Sequence, residues 1–184
     1  MRRILPNLLK LENLTINMVI APNQVDNFYN NFIFLVKSGF KNFNFLPAYY
    51  IYWPKKSLKI LSRQFKRIVK MILILNRKTD FLIKVKNMDL MSDTPLFNQG
   101  LIVGYNGDIY ANNLIFSRFF SSLKDKFRIG NINNPEKAQK ANSSNHLGII
   151  KKYLDKKLYQ STLAVDRILS EFVGELARLK AVQK

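Results

Sequence analysis

The chain has 184 residues, of which 47% are hydrophobic, and this apolar share argues against wholesale disorder. It contains no cysteine, which excludes disulfide bonds, thiolate metal sites and cysteine-held iron–sulfur clusters. With 30 Lys and Arg against 12 Asp and Glu, the net charge of +18 favours polyanionic partners, although lysine enrichment beside Asn, Ile and Phe is also typical of an AT-rich genome.

No apolar run approaches the roughly 18 residues that a membrane-spanning helix needs. The longest candidate, residues 68–75, is interrupted by Lys70. The N-terminal stretch lacks both a continuous apolar core and a small-residue cleavage site, so we expect no signal peptide and no membrane partner, and we predict a cytoplasmic protein. The single histidine, His146, cannot build a histidine metal site, and we predict no metal site.

The first ordered elements follow a strand–helix–strand pattern. Residues 14–20, LTINMVI, alternate as a strand, and Asn23 is placed to cap a following helix. That helix has an apolar stripe at helical spacing and ends at Gly39. The next strand, FKNFNFLP, ends at Pro47. This order predicts two parallel strands with the helix over one face of their sheet.

An aromatic cluster follows Pro47, and Pro54 then suits the first turn of a helix that runs to about Leu75. One side of this helix is apolar and the opposite side is basic. The basic side has two interpretations, a phosphate-binding surface or the solvated face of an outer helix. It consists of Lys56, Lys59, Arg63, Lys66, Arg67 and Lys70.

The pattern changes after Asp80. Residues 98–116, NQGLIVGYNGDIYANNLIF, show two alternating runs around Asn106-Gly107, a pair typical of a two-residue hairpin turn because both residue types accept positive φ. A short strand that ends in turn residues, RIGNINN, and a polar stretch at 135–145 come next. Residues 147–182 are predicted to be helical, with two helices meeting near Gln160. We therefore expect three segments, 1–80, 81–134 and 135–184.

Motifs that carry chemistry unaided are absent from the sequence. It contains no P-loop, G-x-G-x-x-G turn, H-E-x-x-H helix or G-x-S-x-G elbow. Asp89 and Asp93 lie close together, and Asp108 lies in the predicted turn, where aspartate is usually a turn former. We therefore assign no catalytic residue from these patterns.

Two ordered segments carry a resemblance to a known family. Residues 14–53 resemble the closing part of a radical S-adenosylmethionine (radical SAM) enzyme barrel, where a strand of the form xxNxVIxPxN starts a helix ending in glycine and the next strand runs into a proline. The segment GLIVGYNGDIYANNLI, followed by RIGNI, resembles the hairpin of the auxiliary-cluster extension called SPASM or twitch. The matching positions are Asn17, Pro22, Asn23, Gly39, Pro47, Asn106, Gly107, Asp108, Ile109, Tyr110, Ile129, Gly130, Asn131 and Ile132.

The resemblance implies an α/β fold, with a partial, truncated barrel end (β-α-β-α) over residues 1–80, a SPASM- or twitch-like β-hairpin subdomain over 81–134 and C-terminal helices over 135–184. The active site of such a barrel lies at the carboxyl ends of the strands. By resemblance, the cofactor-binding residues are Asn17, Asn44 and Pro47. The aromatic cluster is either a substrate wall or a hydrophobic plug at the barrel edge, and its members are Tyr49, Tyr50 and Trp53.

The chain departs from the family where the iron–sulfur clusters are held. The three-cysteine loop is missing, and the position after Tyr110 reads Ala-Asn-Asn instead of a cysteine. S-adenosylmethionine and a 4Fe–4S cluster are therefore implied for the family only, and we predict that this chain alone binds neither. We also expect an exposed apolar edge at the first strand.

These observations leave three functional hypotheses. The first is a C-terminal fragment or subunit of a radical SAM enzyme of a peptide- or protein-modifying lineage, inactive alone, with a separate N-terminal barrel chain as its partner. The second is a basic nucleic-acid-binding module that uses the positive stripe and nearby aromatic residues. The third is a scaffolding protein whose C-terminal helix pairs with a partner.

Overall fold

The computed structural model describes residues 5–11, 14–78, 82–88, 102–110, 117–134 and 146–181. The helices are α1 (Leu5–Leu8), α2 (Phe28–Lys37), α3 (Lys55–Lys78), α4 (Lys124–Phe127), α5 (His146–Tyr153) and α6 (Lys156–Ala181). The strands are β1 (Thr15–Ile20), β2 (Asn42–Pro47), β3 (Lys84–Val85), β4 (Ile102–Val103), β5 (Asp108–Tyr110) and β6 (Arg128–Asn131).

The predicted α/β class is confirmed. The chain divides into two compact units, unit 1 (Met1–Pro95 with Ser161–Lys184) and unit 2 (Leu96–Gln160). Among the described residues each unit holds one three-stranded sheet, β1-β2-β3 in the first and β4-β5-β6 in the second. Within the described residues both sheets are open, so the finer prediction of a barrel end is not shown. The segment boundaries at 80 and 134 stay a prediction.

The sheet of unit 1 is parallel throughout. β1 pairs with β2 in a continuous register from Thr15 opposite Asn42 to Ile20 opposite Pro47, and β3 pairs with the start of β2. Helix α2 connects the first two strands, so the predicted crossover is confirmed. The alternation that predicted each strand also sets its faces, because successive side chains point to opposite sides of a sheet.

Aromatic rings fill the core on one face of this sheet. Phe45 is fully buried, and its ring centroid lies 5.3 to 5.9 Å from those of four other phenylalanines. Most of these contacts are edge-to-face, which aromatic pairs prefer. The four partners come from helices α2, α3 and α6, and they are Phe28, Phe32, Phe65 and Phe172. The three helices therefore share one core on this face.

Helix α2 ends as predicted but begins differently. Gly39 has φ +101°, a conformation that favours glycine, and its N–H donates to Val36 O at 2.9 Å. The predicted cap at Asn23 is wrong. The chain turns at Gln24, whose N–H donates to Ala21 O, and enters α2 through a 3₁₀ turn at Val25–Asn27 without a side-chain cap.

A buried asparagine, Asn87, continues the backbone hydrogen bonding of β2 on the side where β3 pairs with it. Strand β3 pairs only with Asn42 and Phe43, so Phe45 lacks a strand partner on that side. Asn87 Oδ1 accepts a hydrogen bond from Phe45 N at 2.7 Å, and Asn87 Nδ2 donates to Phe45 O at 2.9 Å. This side chain thereby satisfies both backbone groups of a buried residue.

The two longest helices, α3 and α6, each bury one apolar side. In α3 this side includes Leu61, Phe65, Ile68 and Ile72, and in α6 it includes Val165, Leu169, Phe172 and Leu176. The predicted junction of the C-terminal helices near Gln160 is wrong, because α6 begins at Lys156, where Asp155 Oδ1 accepts from two backbone N–H groups. Within the described ranges, no helix is both long and apolar enough to cross a bilayer.

The sheet of unit 2 is antiparallel. β5 lies between β4 and β6, and the turn at 104–107 joins β4 to β5. Only Gly107 has positive φ there, while Gly107 N donates to Gly104 O and Gly104 N donates to Asp108 O. The predicted two-residue turn is therefore wrong. The hairpin loop is longer, with a turn over Gly104–Gly107 that ends in a glycine of positive φ. Asp108 sits between Asn106, Asn131 and Arg128, all within hydrogen-bond distance of its carboxylate.

Candidate functional site

The residues predicted to contact a cofactor are split between the two faces of the first sheet. Asn17 and Asn44 are register partners on the face opposite the aromatic core, and Asn44 Nδ2 donates to Asn17 Oδ1 at 3.0 Å. Asn44 Oδ1 is buried and has no hydrogen-bond partner among the described residues. Pro47 lies on the core face, buried opposite Ile20. Their assignment to a cofactor stays a prediction.

The first strand was expected to present an exposed apolar edge, and β1 does so at one residue, Val19. In the described part of the chain β1 pairs only with β2, and Val19 is 68% exposed. Beside this edge, a cavity of about 270 Å³ lies between β1 and α2. Its lining includes Phe28 and Leu35, together with the uncharged polar side chains of Gln24 and Asn31.

The aromatic segment after β2 is tied to helix α6. Trp53 N donates to Ser161 Oγ at 2.7 Å, and Ser161 Oγ donates to Ile51 O at 3.3 Å. Tyr50 N donates to Thr162 Oγ1 at 3.3 Å. The indole of Trp53 is 2% exposed, and its Nε1–H donates to Ala48 O at 2.9 Å. Trp53 thus belongs to the core.

Two tyrosines in this segment face a buried carboxylate. Tyr49 OH donates to Asp166 Oδ1 at 3.3 Å, and Asp166 is 5% exposed. Burial raises the pKa of the Tyr49 phenol well above its ordinary value, and the Asp166 charge raises it further. Burial, and after it Asp166, also raises the pKa of Tyr50. These phenols therefore stay protonated, so Tyr49 can act as a hydrogen-bond donor.

The backbone of Tyr50 is strained. Its φ is +61°, in the left-handed region that a bulky residue seldom adopts. The hydrogen bond from Tyr50 N to Thr162 helps to hold this conformation. The assignment of Tyr49, Tyr50 and Trp53 to a substrate wall stays a prediction.

Sequence reasoning missed the three polar residues of α6 that hold the segment, Ser161, Thr162 and Asp166. A signal for them exists in the sequence. All three are buried on a helix whose neighbouring positions, such as Val165 and Leu169, are apolar. Polar side chains inside an apolar stripe need partners, because burying them unpaired costs free energy. The sequence does not tell which segment supplies those partners.

The strongest concentration of charge in unit 1 lies on one side of α3, which we call the basic face. It spans about 33 Å from its first to its last member, at 1.5 Å per residue. α3 contains no acidic residue, and in the described part of the chain no carboxylate lies within ion-pairing distance of these side chains. All eight are exposed: Lys55, Lys56, Lys59, Arg63, Lys66, Arg67, Lys70 and Arg77.

The buried side of α3 fixes the orientation of the basic face. Gln64 is buried, and its Nε2 donates to Asp26 O at 2.9 Å. Ser57 Oγ donates to Pro22 O at 3.2 Å. On the margin of the face, the guanidinium of Arg67 lies 3.8 Å from the centroid of the Tyr29 ring. The cationic groups are thus presented by a helix that is locked to its neighbours.

Comparison with known families gives a partial match. Residues 33–78 match the family model of the C-terminal region of fungal HAT1. The matched residues make up about a quarter of the chain and run from within α2 to the last residue of α3. No curated protein matches the chain.

The match overturns the predicted radical SAM identity. The matched family is that of HAT1, a histone acetyltransferase, and is not a radical SAM family. The predictions of a radical SAM subunit, of its iron–sulfur chemistry and of a SPASM extension are therefore wrong. The nucleic-acid-binding alternative is not supported by the match either. The strand–helix–strand pattern with a glycine and a proline failed to discriminate because parallel α/β proteins of many functions share it.

Proposed function

We propose that unit 1 is an interaction module, similar to the C-terminal region of fungal HAT1, that binds an acidic polypeptide along the basic face of α3. The observation that carries this proposal is the basic face itself. Its eight cationic side chains are exposed on one helix, and in the described part of the chain none has a carboxylate partner. Such an array repels itself, and a polypeptide with carboxylates at helical spacing would neutralise it.

The family match supports the proposal because it includes the whole of α3. The similarity to the C-terminal region of HAT1 therefore falls on the element that carries the charge. It also includes β2, which anchors α3 through the shared core around Phe45. A rigid helix lowers the entropic cost of binding, since the backbone that carries the charged side chains is already ordered.

An acidic polypeptide suits this surface better than a nucleic acid does. Proteins that bind single strands combine positive charge with aromatic rings on which bases stack. Among the described residues, the ring that contacts a cation of the basic face is that of Tyr29, and the guanidinium of Arg67 covers it. Most of the remaining cations are lysines, which act as point charges and suit carboxylates spaced along a chain.

The test is a fluorescence-anisotropy titration with a labelled, glutamate-rich helical peptide of about 22 residues, a length that matches the span of the basic face of about 33 Å. The variant Lys59→Ala/Arg63→Ala/Lys66→Ala removes three charges from the basic face. The matched control Lys151→Ala/Lys157→Ala/Arg167→Ala removes three exposed charges elsewhere. We expect the first variant to bind at least about tenfold more weakly and the control to bind within about twofold of the parent.

Two results would overturn the proposal. If both triple variants lose affinity equally, binding follows net charge and not the basic face. If duplex RNA competes more strongly than the acidic peptide and depends on the same three residues, the ligand is a nucleic acid. The difference in peptide affinity between the two triple variants should appear at about 0.05 M and at about 0.15 M salt. Salt screens the exposed charges of both variants alike.

A further inference from the structure

Unit 2 contains a cavity that is independent of the basic face. It has a volume of about 280 Å³ and lies between α4, the 3₁₀ turn before it (Ser121–Leu123), and α5. Its apolar lining includes Leu123 and Phe127, which are 5% and 6% exposed, and the half-buried Ile149. At about 30 Å³ for each water-sized group, the cavity accommodates a ligand of roughly nine such groups.

Two lysines from different helices also line this cavity. Lys126 belongs to α4 and Lys152 belongs to α5, and both side chains are exposed. In the described part of unit 2 neither lysine forms an ion pair. Lys152 Nζ lies 5.9 Å from the centroid of the Tyr153 ring, which also lines the cavity. The site therefore combines an apolar floor with two positive charges at its rim, neither of which has a carboxylate partner among the described residues.

We infer that this cavity binds a small amphipathic carboxylate, with its apolar body against Leu123, Phe127 and Ile149 and its carboxylate between Lys126 and Lys152. Charge complementarity decides the class of ligand. A carboxylate gains charge-assisted contacts with both lysines that a neutral apolar molecule lacks, and a cation would be repelled by them. An apolar body of this size gains binding energy from removing its surface from water.

Isothermal titration calorimetry with octanoate tests this inference, and octanol and octylammonium serve as probes with the same apolar body and a different charge. We expect octanoate to bind the parent chain and both other probes to bind at least about tenfold more weakly, since each lacks the charge-assisted contacts. The variant Lys126→Ala/Lys152→Ala should weaken octanoate binding by about tenfold or more. The control Lys151→Ala/Lys157→Ala, with two lysines removed outside the cavity, should bind like the parent.

A second variant tests the location. Gly148 lines the cavity within α5, and its replacement by leucine places a bulky side chain there while favouring the helix. We expect Gly148→Leu to abolish octanoate binding and to keep the melting temperature of the chain. The inference is overturned if octylammonium binds as tightly as octanoate, if both double variants bind like the parent, or if Gly148→Leu binds octanoate normally.

Discussion

The guanidinium of Arg67 lies 3.8 Å from the centroid of the Tyr29 ring, which joins α3 to α2 at the margin of the basic face. Arg67 Nη1 also donates to Gln64 Oε1 at 3.3 Å, and Gln64 in turn donates to the backbone of Asp26. The charged and buried sides of α3 are thus connected by a chain of contacts. This connection helps to hold the buried side of α3 against its neighbours, so that the opposite, basic face is exposed.

The basic face should lower the stability of the folded chain. Like charges at positions i and i+4 of a helix repel, and Lys59 with Arg63 form such a pair. Lys59→Glu should replace this repulsion with a favourable pair and raise the free energy of unfolding by about 0.5 kcal/mol. The same substitution should weaken binding of the glutamate-rich peptide. Denaturant unfolding and anisotropy titration measure the two effects.

Lys59→Gln is the matched control, since it removes the charge without creating an ion pair. It should give a smaller gain in stability and a smaller loss of affinity than Lys59→Glu. A more stable Lys59→Glu variant with unchanged peptide affinity would show that the basic face is only a solvated surface.

Asn87 should be one of the most sensitive polar positions in unit 1. Asn87→Ala removes both hydrogen bonds to the backbone of Phe45 and leaves a buried N–H and C=O unpaired. We expect the free energy of unfolding to fall by about 2 to 3 kcal/mol. The exposed Asn31 provides the control, and Asn31→Ala should change stability by less than about 0.5 kcal/mol. Equal effects of the two substitutions would contradict the structural role of Asn87.

Tyr49 should make the folded state sensitive to alkali. Its phenol has a raised pKa when folded, so its contribution to stability is complete below the ordinary tyrosine pKa of about 10 and is lost as the pH rises above it. Tyr49→Phe should therefore show a shallower loss of stability above pH 10, by up to about 1.4 kcal/mol per pH unit.

The measurement for Tyr49 is the denaturant midpoint of unfolding between about pH 8 and about pH 11. This pH range brackets the ordinary tyrosine pKa of about 10. The control is Tyr52→Phe, whose ring is 60% exposed, and it should follow the parent curve. Identical alkaline slopes for Tyr49→Phe and the parent would contradict burial of the Tyr49 phenol against Asp166.

Asp108 should make unit 2 sensitive to acid. Hydrogen bonds from Asn131 and Asn106, together with the Arg128 guanidinium, hold the pKa of its carboxyl below the ordinary value. Its contribution is therefore present above pH about 4 and is lost as the pH falls through the lowered pKa. In the Asp108→Asn variant, the hydrogen-exchange rates of the β5 amides should be higher than in the parent at neutral pH. This difference in rate should vanish in acid.

The measurement is the hydrogen-exchange rate of the β5 amides, recorded by NMR for the parent and for Asp108→Asn from neutral to acidic pH. Asp125→Asn removes an exposed carboxylate from α4 and should exchange like the parent across the same pH range. A constant difference between Asp108→Asn and the parent from neutral to acidic pH would contradict the assigned role of the carboxylate.

The local patterns of the sequence predict two of the three strands of the parallel sheet. Alternation in 14–20 and 42–47, and a glycine at 39, identify β1, the end of α2 and β2, because each signal acts within a few residues. The turn at 104–107 was harder to predict. Asn106 and Gly107 permit a two-residue turn, but only Gly107 takes positive φ once Asn106 contacts Asp108.

Contacts distant in sequence explain what the sequence alone did not reveal at the site. The bond from Trp53 N to Ser161 Oγ joins residues 108 positions apart, and no local pattern selects that pair. The resemblance of residues 14–53 to a radical SAM barrel rested on turn-forming residues that many parallel sheets need. The cationic side chains of α3 were visible in the sequence, but their lack of carboxylate partners within the described residues required the structure.

The most direct measurement is an NMR titration of the uniformly ¹⁵N-labelled chain with the unlabelled glutamate-rich peptide. The account predicts progressive amide shift changes along α3, from Lys55 to Arg77, which the Lys59→Ala/Arg63→Ala/Lys66→Ala variant largely removes. Shift changes that avoid α3, or that persist unchanged in this variant, would contradict the proposal that the basic face binds an acidic polypeptide.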